Sequence, residues 1–172
     1  MRRYIWGSID RRRFSGFTFI EIIATLAILA LLATAAVPYW ELMVTRQKET
    51  ELRRDLRLMR SAIDAYKAAS DEGRIPKAAN ESGYPKRLED LVNGVEDAKD
   101  PAKRKIYFLR RIPRDPMFEA TMTADTEVSN IQTWQLRSYA SPPDQPREGA
   151  DVFDVYSKSA QKGLNGVRYN EW

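Results

Sequence analysis

Cysteine and histidine are both absent from this 172-residue chain. Without cysteine there is no disulfide, and the compartment cannot be read from cysteine usage. The two absences also remove thiolate and imidazole, the commonest nucleophiles, bases and zinc ligands. There is no glycine-rich phosphate loop and no internal repeat. Net charge is lacking too, once its location is considered. The formal +4 lies in residues 1–16, where Arg2, Arg3, Arg11, Arg12 and Arg13 face one Asp10. Residues 17–172 hold 23 basic and 23 acidic residues. A basic cluster from Lys103 to Arg114 surrounds Tyr107 and Phe108, the pattern of a stacking nucleic-acid footprint. The zero balance favours instead a basic surface over core aromatics, and no nucleic-acid partner is expected. Glu89-Asp90 and Glu96-Asp97 sit among lysines and arginines and read as solvated surface charge. No constellation supports an enzyme, membrane-anchored or otherwise.

What is present is a basic cluster, a small residue and a long apolar run, in that order. Arg11-Arg12-Arg13-Phe14-Ser15-Gly16 leads into Phe17–Val37, whose single charge is Glu21. The run is 21 residues long, about 31 Å as a helix at about 1.5 Å per residue. That crosses a hydrocarbon core of about 30 Å. A carboxylate inside such a run is costly in lipid, so it needs a partner and a task. A plain membrane anchor explains the hydrophobicity but neither Glu21 nor the Gly16-Phe17 step. A secretory signal peptide would use Ala33-Thr34-Ala35 as its cleavage site, but the run exceeds the usual length of such a core. The third reading is a leader cut before the apolar run.

Gly16-Phe17-Thr18-Phe19-Ile20-Glu21 resembles the leader junction of type IV pilins and type II secretion pseudopilins. The resemblance implies peptidase cleavage after Gly16, methylation of the new amine on Phe17, and filament assembly through Glu21. Pro38 falls where that family carries a proline. Residues 1–16 are then a cytoplasmic leader, and its arginines set the topology, positive side in.

From Phe17 the chain is expected to be helical, with Thr25 and Thr34 returning their hydroxyls to the backbone. Pro38 predicts a kink or local unwinding. Leu52, Leu56, Met59, Ile63 and Tyr66 recur at helical spacing as one apolar stripe. Glu49, Arg53 and other charges occupy the remaining face, Glu49 and Arg53 as an i,i+4 pair. Gly73 is the expected stop. Leu88, Leu91 and Val92 predict a short helix ending near Asn93-Gly94. Residues 95–105 read as a solvated loop, and Ile106–Leu109 as one apolar turn of helix or strand. Pro113 and Pro116 fix an extended turn. Met117–Ile131 has no pattern and reads as loop. Thr133–Tyr139 and Val152–Tyr156 read as strands, and the tail loops back, pinned by Tyr169 and Trp172.

Three further segments resemble the major pseudopilin: Tyr84–Val92, Tyr107–Pro116 with its Pro-Arg-Asp-Pro turn, and Phe153–Ser157 with the terminal Trp172. That family carries an Asp-rich calcium loop after its Tyr-Ser pair. Here Ser157–Gly166 contains no Asp or Glu but has Lys158 and Lys162. Calcium wants six to eight oxygens, usually including carboxylates. Asn165 and the distant Asp151 or Asp154 are poor substitutes, so neither calcium nor any other cofactor is expected.

The expected fold is α+β and type IV pilin-like, a long helix with a transmembrane first half packed on a small C-terminal domain with a short antiparallel sheet. The expected division is a leader over 1–16, a membrane and assembly segment over 17–38, and a periplasmic domain over 39–172, helical to about 72. The resemblance implies a non-enzymatic subunit, single-pass in a bacterial inner membrane with its C-terminal domain in the periplasm. It would polymerise with itself into the pseudopilus of a type II secretion system. Implied partners are minor pseudopilins, a prepilin peptidase, an inner-membrane assembly platform and the lipid bilayer. The alternative is a type IV pilin or pilin-like subunit for adhesion, motility or DNA uptake, although the paired C-terminal cysteines that would favour a pilin are missing.

Overall fold

The structure is a computed structural model that describes residues 16–119 and 128–172. The leader up to residue 15, and residues 120–127 of the patternless Met117–Ile131 stretch, lie outside the described residues. The chain is one long helix, α1 (Phe19–Asp71), followed by a small domain of short elements. These are α2 (Asp90–Asn93), β1 (Val95–Glu96), β2 (Lys105–Ile106), β3 (Trp134–Arg137), β4 (Asp154–Ser157) and two 3-10 turns, Asn130–Thr133 and Tyr169–Glu171. The fold is α+β. The chain divides into two compact units, residues 1–42 and 43–172.

In the first unit the described residues are Gly16–Leu42, almost all of them helical. Thr25 and Thr34 donate their hydroxyls to the carbonyls of Ile22 and Leu31 at 2.9 and 2.7 Å, so neither is left unpaired in an apolar stretch. The helix continues through Pro38, and the local unwinding expected there does not occur. Proline removes only one rung, the bond to the Thr34 carbonyl, and the rungs on either side hold the segment.

The second unit is built on the remainder of α1. Every member of the expected stripe is buried: Leu52, Leu56, Met59, Ile63 and Tyr66. Against it pack Leu88 and Leu91 of the α2 segment, Leu109, Ile112, Trp134, Val155 and Tyr169. The helix stops where expected. Gly73 N–H bonds to the Ser70 carbonyl and Arg74 N–H to the Ala69 carbonyl, both at 2.9 Å. This reciprocal pair closes a helix when the residue between can take positive φ, and Gly73 does, at 73°.

Residues 95–105 are not the open loop expected. β1 and β2 form an antiparallel pair with Val95 opposite Ile106 and Glu96 opposite Lys105. Asp97 and Asp100 close the connection by accepting the N–H groups of Lys99 and Ala102 at 3.0 and 3.1 Å, as short acidic side chains do in turns. Asp97 is buried rather than solvated. Arg74 donates to it twice, at 2.9 and 2.7 Å, and those bonds hold its carboxyl below the usual range. The aromatic pair also divides. Phe108 packs at 5.3 Å from Tyr66, but Tyr107 is exposed.

β3 and β4 form a second antiparallel ladder, separate from the first, running from Trp134 opposite Ser157 to Arg137 opposite Asp154. The domain thus has two two-stranded sheets in place of one. β4 starts two residues later than its sequence pattern suggests. Val152 instead donates its N–H to the Pro85 carbonyl at 2.8 Å, which ties the α2 segment to the ladder.

Candidate functional site

The N-terminal end of α1 is open. A Cβ added to Gly16 would meet nothing within 4 Å, and Phe17 is exposed. The helix starts with a reciprocal cap. Glu21 N–H donates to Thr18 Oγ1 at 3.3 Å, and Thr18 N–H donates to Glu21 Oε2 at 3.4 Å. These are long hydrogen bonds, but they satisfy two of the donors that a helix start leaves free. The Thr18-x-x-Glu21 spacing was the sequence signal for this cap, and the task sought for Glu21 in assembly obscured it. From Phe19 to Val37 the described side chains face outward, including Phe19, Ile20, Leu26, Leu31 and Leu32. The helix is long and apolar enough to cross a membrane. Gly16, Phe17 and Glu21 lie together at its start, and Pro38 lies 17 residues past Glu21.

The second candidate region is the C-terminal loop. Glu49, expected on a solvated face, is buried. Its Oε1 accepts the N–H of Leu164 at 2.6 Å and the hydroxyl of Tyr169 at 3.1 Å. Burial, followed by the hydrogen bond to Glu49, pushes the Tyr169 hydroxyl up, so it remains a donor. The Arg53 guanidinium lies 3.9 Å from Glu49 Oε2 and 4.4 Å from the centre of the Trp172 ring. Arg60 completes the attachment with bonds to Asp154 Oδ1 and to the Trp172 carbonyl, both at 2.8 Å. Tyr169 and Trp172 do pin the tail, edge to face at 5.1 Å.

The two carboxylates weighed as distant cation ligands are engaged elsewhere. Asp154 pairs with Arg60. Asp151 accepts from the hydroxyls of Ser82 and Ser138 and from the N–H of Tyr139. Burial pushes the Asp151 carboxyl up, but those three bonds outweigh it and hold it below the usual range. Among the described residues no cluster of three or more Asp, Glu, His or Cys is placed to hold a metal ion.

The Pro113–Pro116 turn carries a buried acid that sequence reasoning treated only as a turn residue. Asp115 is 1% exposed. Its carboxylate accepts from Ser157 Oγ at 2.6 Å and from the Met117 N–H at 2.8 Å. Its own N–H donates to Thr133 Oγ1 at 3.1 Å. Trp134 Nε1 donates to the Pro113 carbonyl at 2.8 Å. The turn is thereby fastened to both strands of the β3–β4 ladder. Burial pushes the Asp115 carboxyl up, against the bonds from Ser157 and from the Met117 and Lys158 N–H groups.

A family model described as the prokaryotic N-terminal methylation motif matches residues 11–37. The chain is 33% identical over 111 residues to type II secretion system core protein G of Aeromonas hydrophila, covering 63% of this chain and 71% of that protein. It is 32% identical over 109 residues to the core protein G of Pseudomonas aeruginosa, with the same shares covered. The type IV major alpha-pilin of Moraxella bovis is 32% identical over 84 residues, 49% of this chain and 51% of the pilin. No solved structure matches the chain.

Proposed function

The chain belongs to the type II secretion system core protein G family, and from that membership we propose that it is a structural subunit that polymerises into a type II secretion pseudopilus. One observation carries this reading. The 111-residue match to a core protein G is far longer than the 11–37 motif, so it draws on the globular domain as well as the helix. The pilin match spans only about half of that protein, which leaves the pilin reading second. The relatives are named for a secretion system and a pilus rather than for a reaction, in keeping with a non-enzymatic role.

The finer assignments follow from the same membership. A prepilin peptidase cuts after Gly16 and methylates the amine of Phe17. The small Gly16 suits a protease that must approach the backbone closely, and the exposed Gly16-Phe17 step offers that approach. The apolar half of α1 anchors the protein in a bacterial inner membrane, arginine-rich leader in the cytoplasm and domain in the periplasm. An inner-membrane assembly platform then draws subunits from the bilayer into a filament with minor pseudopilins. Moving that filament drives folded proteins across the outer membrane.

Intact mass of the protein from membranes tests the processing. Mature protein starts at a methylated Phe17. A start at Ala36 would point to an ordinary signal peptide, and an uncut Met1 to a plain anchor. Deleting the chain in its host tests the function: secretion of folded proteins stops while surface pili persist. The reverse pattern supports the pilin reading.

A further inference from the structure

We propose that the tip of the C-terminal loop, residues 162–168, is a second membrane contact that docks on anionic phospholipid headgroups. The inference rests on the membrane-anchor reading above. Leu164 and Val167 are 49% and 40% exposed at the tip. Lys162 and Arg168 face each other across an antiparallel bridge, so an exposed cation flanks the apolar pair on each side. No Asp or Glu occurs between Ser157 and Asn170. Two aliphatic side chains framed by cations, with no acid between them, suit a bilayer interface, where apolar tips enter the headgroup layer and cations meet phosphate.

The tip is already ordered for docking. Gly163 N–H bonds to the Val167 carbonyl and Gly166 N–H to the Gly163 carbonyl, both at 2.9 Å. Asn165 Oδ1 accepts the Val167 N–H at 3.0 Å, and Glu49 holds the base through Leu164. A loop fixed in this way loses little freedom on contact. Arg46 lies one turn before Glu49 on the same helix face and adds a third exposed cation. The nearby carboxylates do not cancel this charge: Glu49 is buried and Glu51 lies 3.7 Å from Arg54, while Glu171 and Glu119, which accepts from Gln161 Nε2 at 3.0 Å, are exposed beside the loop against Lys158, Lys162 and Arg168. A second copy of the chain is the competing occupant, but its own loop is equally cationic and would be repelled.

The absence of cysteine makes Leu164→Cys a unique attachment point for an apolar, environment-sensitive fluorophore. The full mature chain, so labelled, is placed in nanodiscs of phosphatidylcholine with or without phosphatidylglycerol. In phosphatidylglycerol discs the label is shielded from aqueous iodide. In pure phosphatidylcholine, or at about 1 M salt, where screening shortens to about 3 Å, it is not. Lys162→Gln with Arg168→Gln reduces the docked-to-free ratio by about 30-fold, at about fivefold per cation. Equal iodide access in both discs overturns the proposal. So does shielding that depends on protein density and accompanies crosslinks between copies. Elution of the chain apart from the disc would instead overturn the anchor reading, and the proposal with it.

Discussion

Glu49 and Leu164 are 115 residues apart in sequence, and the carboxylate of one accepts the backbone N–H of the other at 2.6 Å. This bond joins the start of the amphipathic half of α1 to the C-terminal loop between Ser157 and Tyr169. Gly163 permits it. A Cβ there would lie 2.8 Å from Trp172 Cζ2, 2.9 Å from Glu49 Oε1 and 3.0 Å from Tyr169 Cε1. Glu49→Ala leaves the Leu164 N–H and the Tyr169 hydroxyl without their partner, a loss of about 2–3 kcal/mol. Gly163→Ala forces the same three groups apart and is also destabilising. Both are measured by urea unfolding in detergent. Wild-type stability in Glu49→Ala would show that the carboxylate is not what holds the loop.

Calcium should have no bearing on this loop. Its backbone is closed by its own hydrogen bonds and by Glu49, and Lys158 and Lys162 repel a cation. Chelator is expected to leave the melting temperature unchanged. A rise of several degrees on adding calcium would show that carbonyl oxygens and Asn165 suffice for binding.

How much of this was legible differs element by element. The stripe from Leu52 to Tyr66 was readable because helical period and burial coincide over four turns. The Gly73 stop was readable because it needs only one residue of the right kind. The burial of Glu49 was not, since the Glu49-x-x-x-Arg53 spacing looks the same on a solvated face, and what buries it arrives from the far end of the chain. β1 and β2 are two residues each, too short for a strand period to register. Asp115 read as a turn residue because nothing local marks the Ser157 hydroxyl 42 residues away. The cap between Thr18 and Glu21 went unread, although the Thr18-x-x-Glu21 spacing carries it.

Asp115 makes a pH dependence. Its folded carboxyl is raised by burial, so the folded state binds the proton at a pH where the unfolded chain, near about 3.9, has released it. The contribution of this group to stability is fully present below that unfolded value and is lost as pH rises through the folded one. Asp151, whose carboxyl is depressed, acts in the opposite sense and loses its contribution as pH falls. Asp115→Asn keeps a carbonyl for the Met117 N–H and removes the titration. Relative to this variant, the wild type should lose stability as pH rises from about 4 through the raised folded value. Parallel stability curves for the two proteins would refute the assignment.

The last prediction concerns Glu21. In the single chain its carboxylate caps the helix start through the Thr18 N–H at 3.4 Å, a long bond that leaves acceptor capacity unused. Cleavage after Gly16 would add a cationic amine on Phe17 beside this carboxylate. Two charges at the edge of an apolar run need each other, because an unpaired one costs several kcal/mol in low dielectric. The pairing within one helix is available to every monomer and encodes no position. Between staggered subunits, the amine of one and Glu21 of its neighbour would compensate both charges and fix the axial register, which the apolar faces cannot do alone because lipid and leucine are nearly equivalent partners. Glu21→Ala and Glu21→Leu are therefore expected to remain in the membrane and to be cleaved, but not to enter filaments. Glu21→Leu should be the more firmly anchored monomer. Losing the cap alone costs about 1 kcal/mol of helix start, too little to remove the protein from the bilayer. A sheared-filament or crosslinking assay beside a membrane-fraction blot separates the two roles. Normal filament yield from either variant would leave Glu21 a helix cap and nothing more.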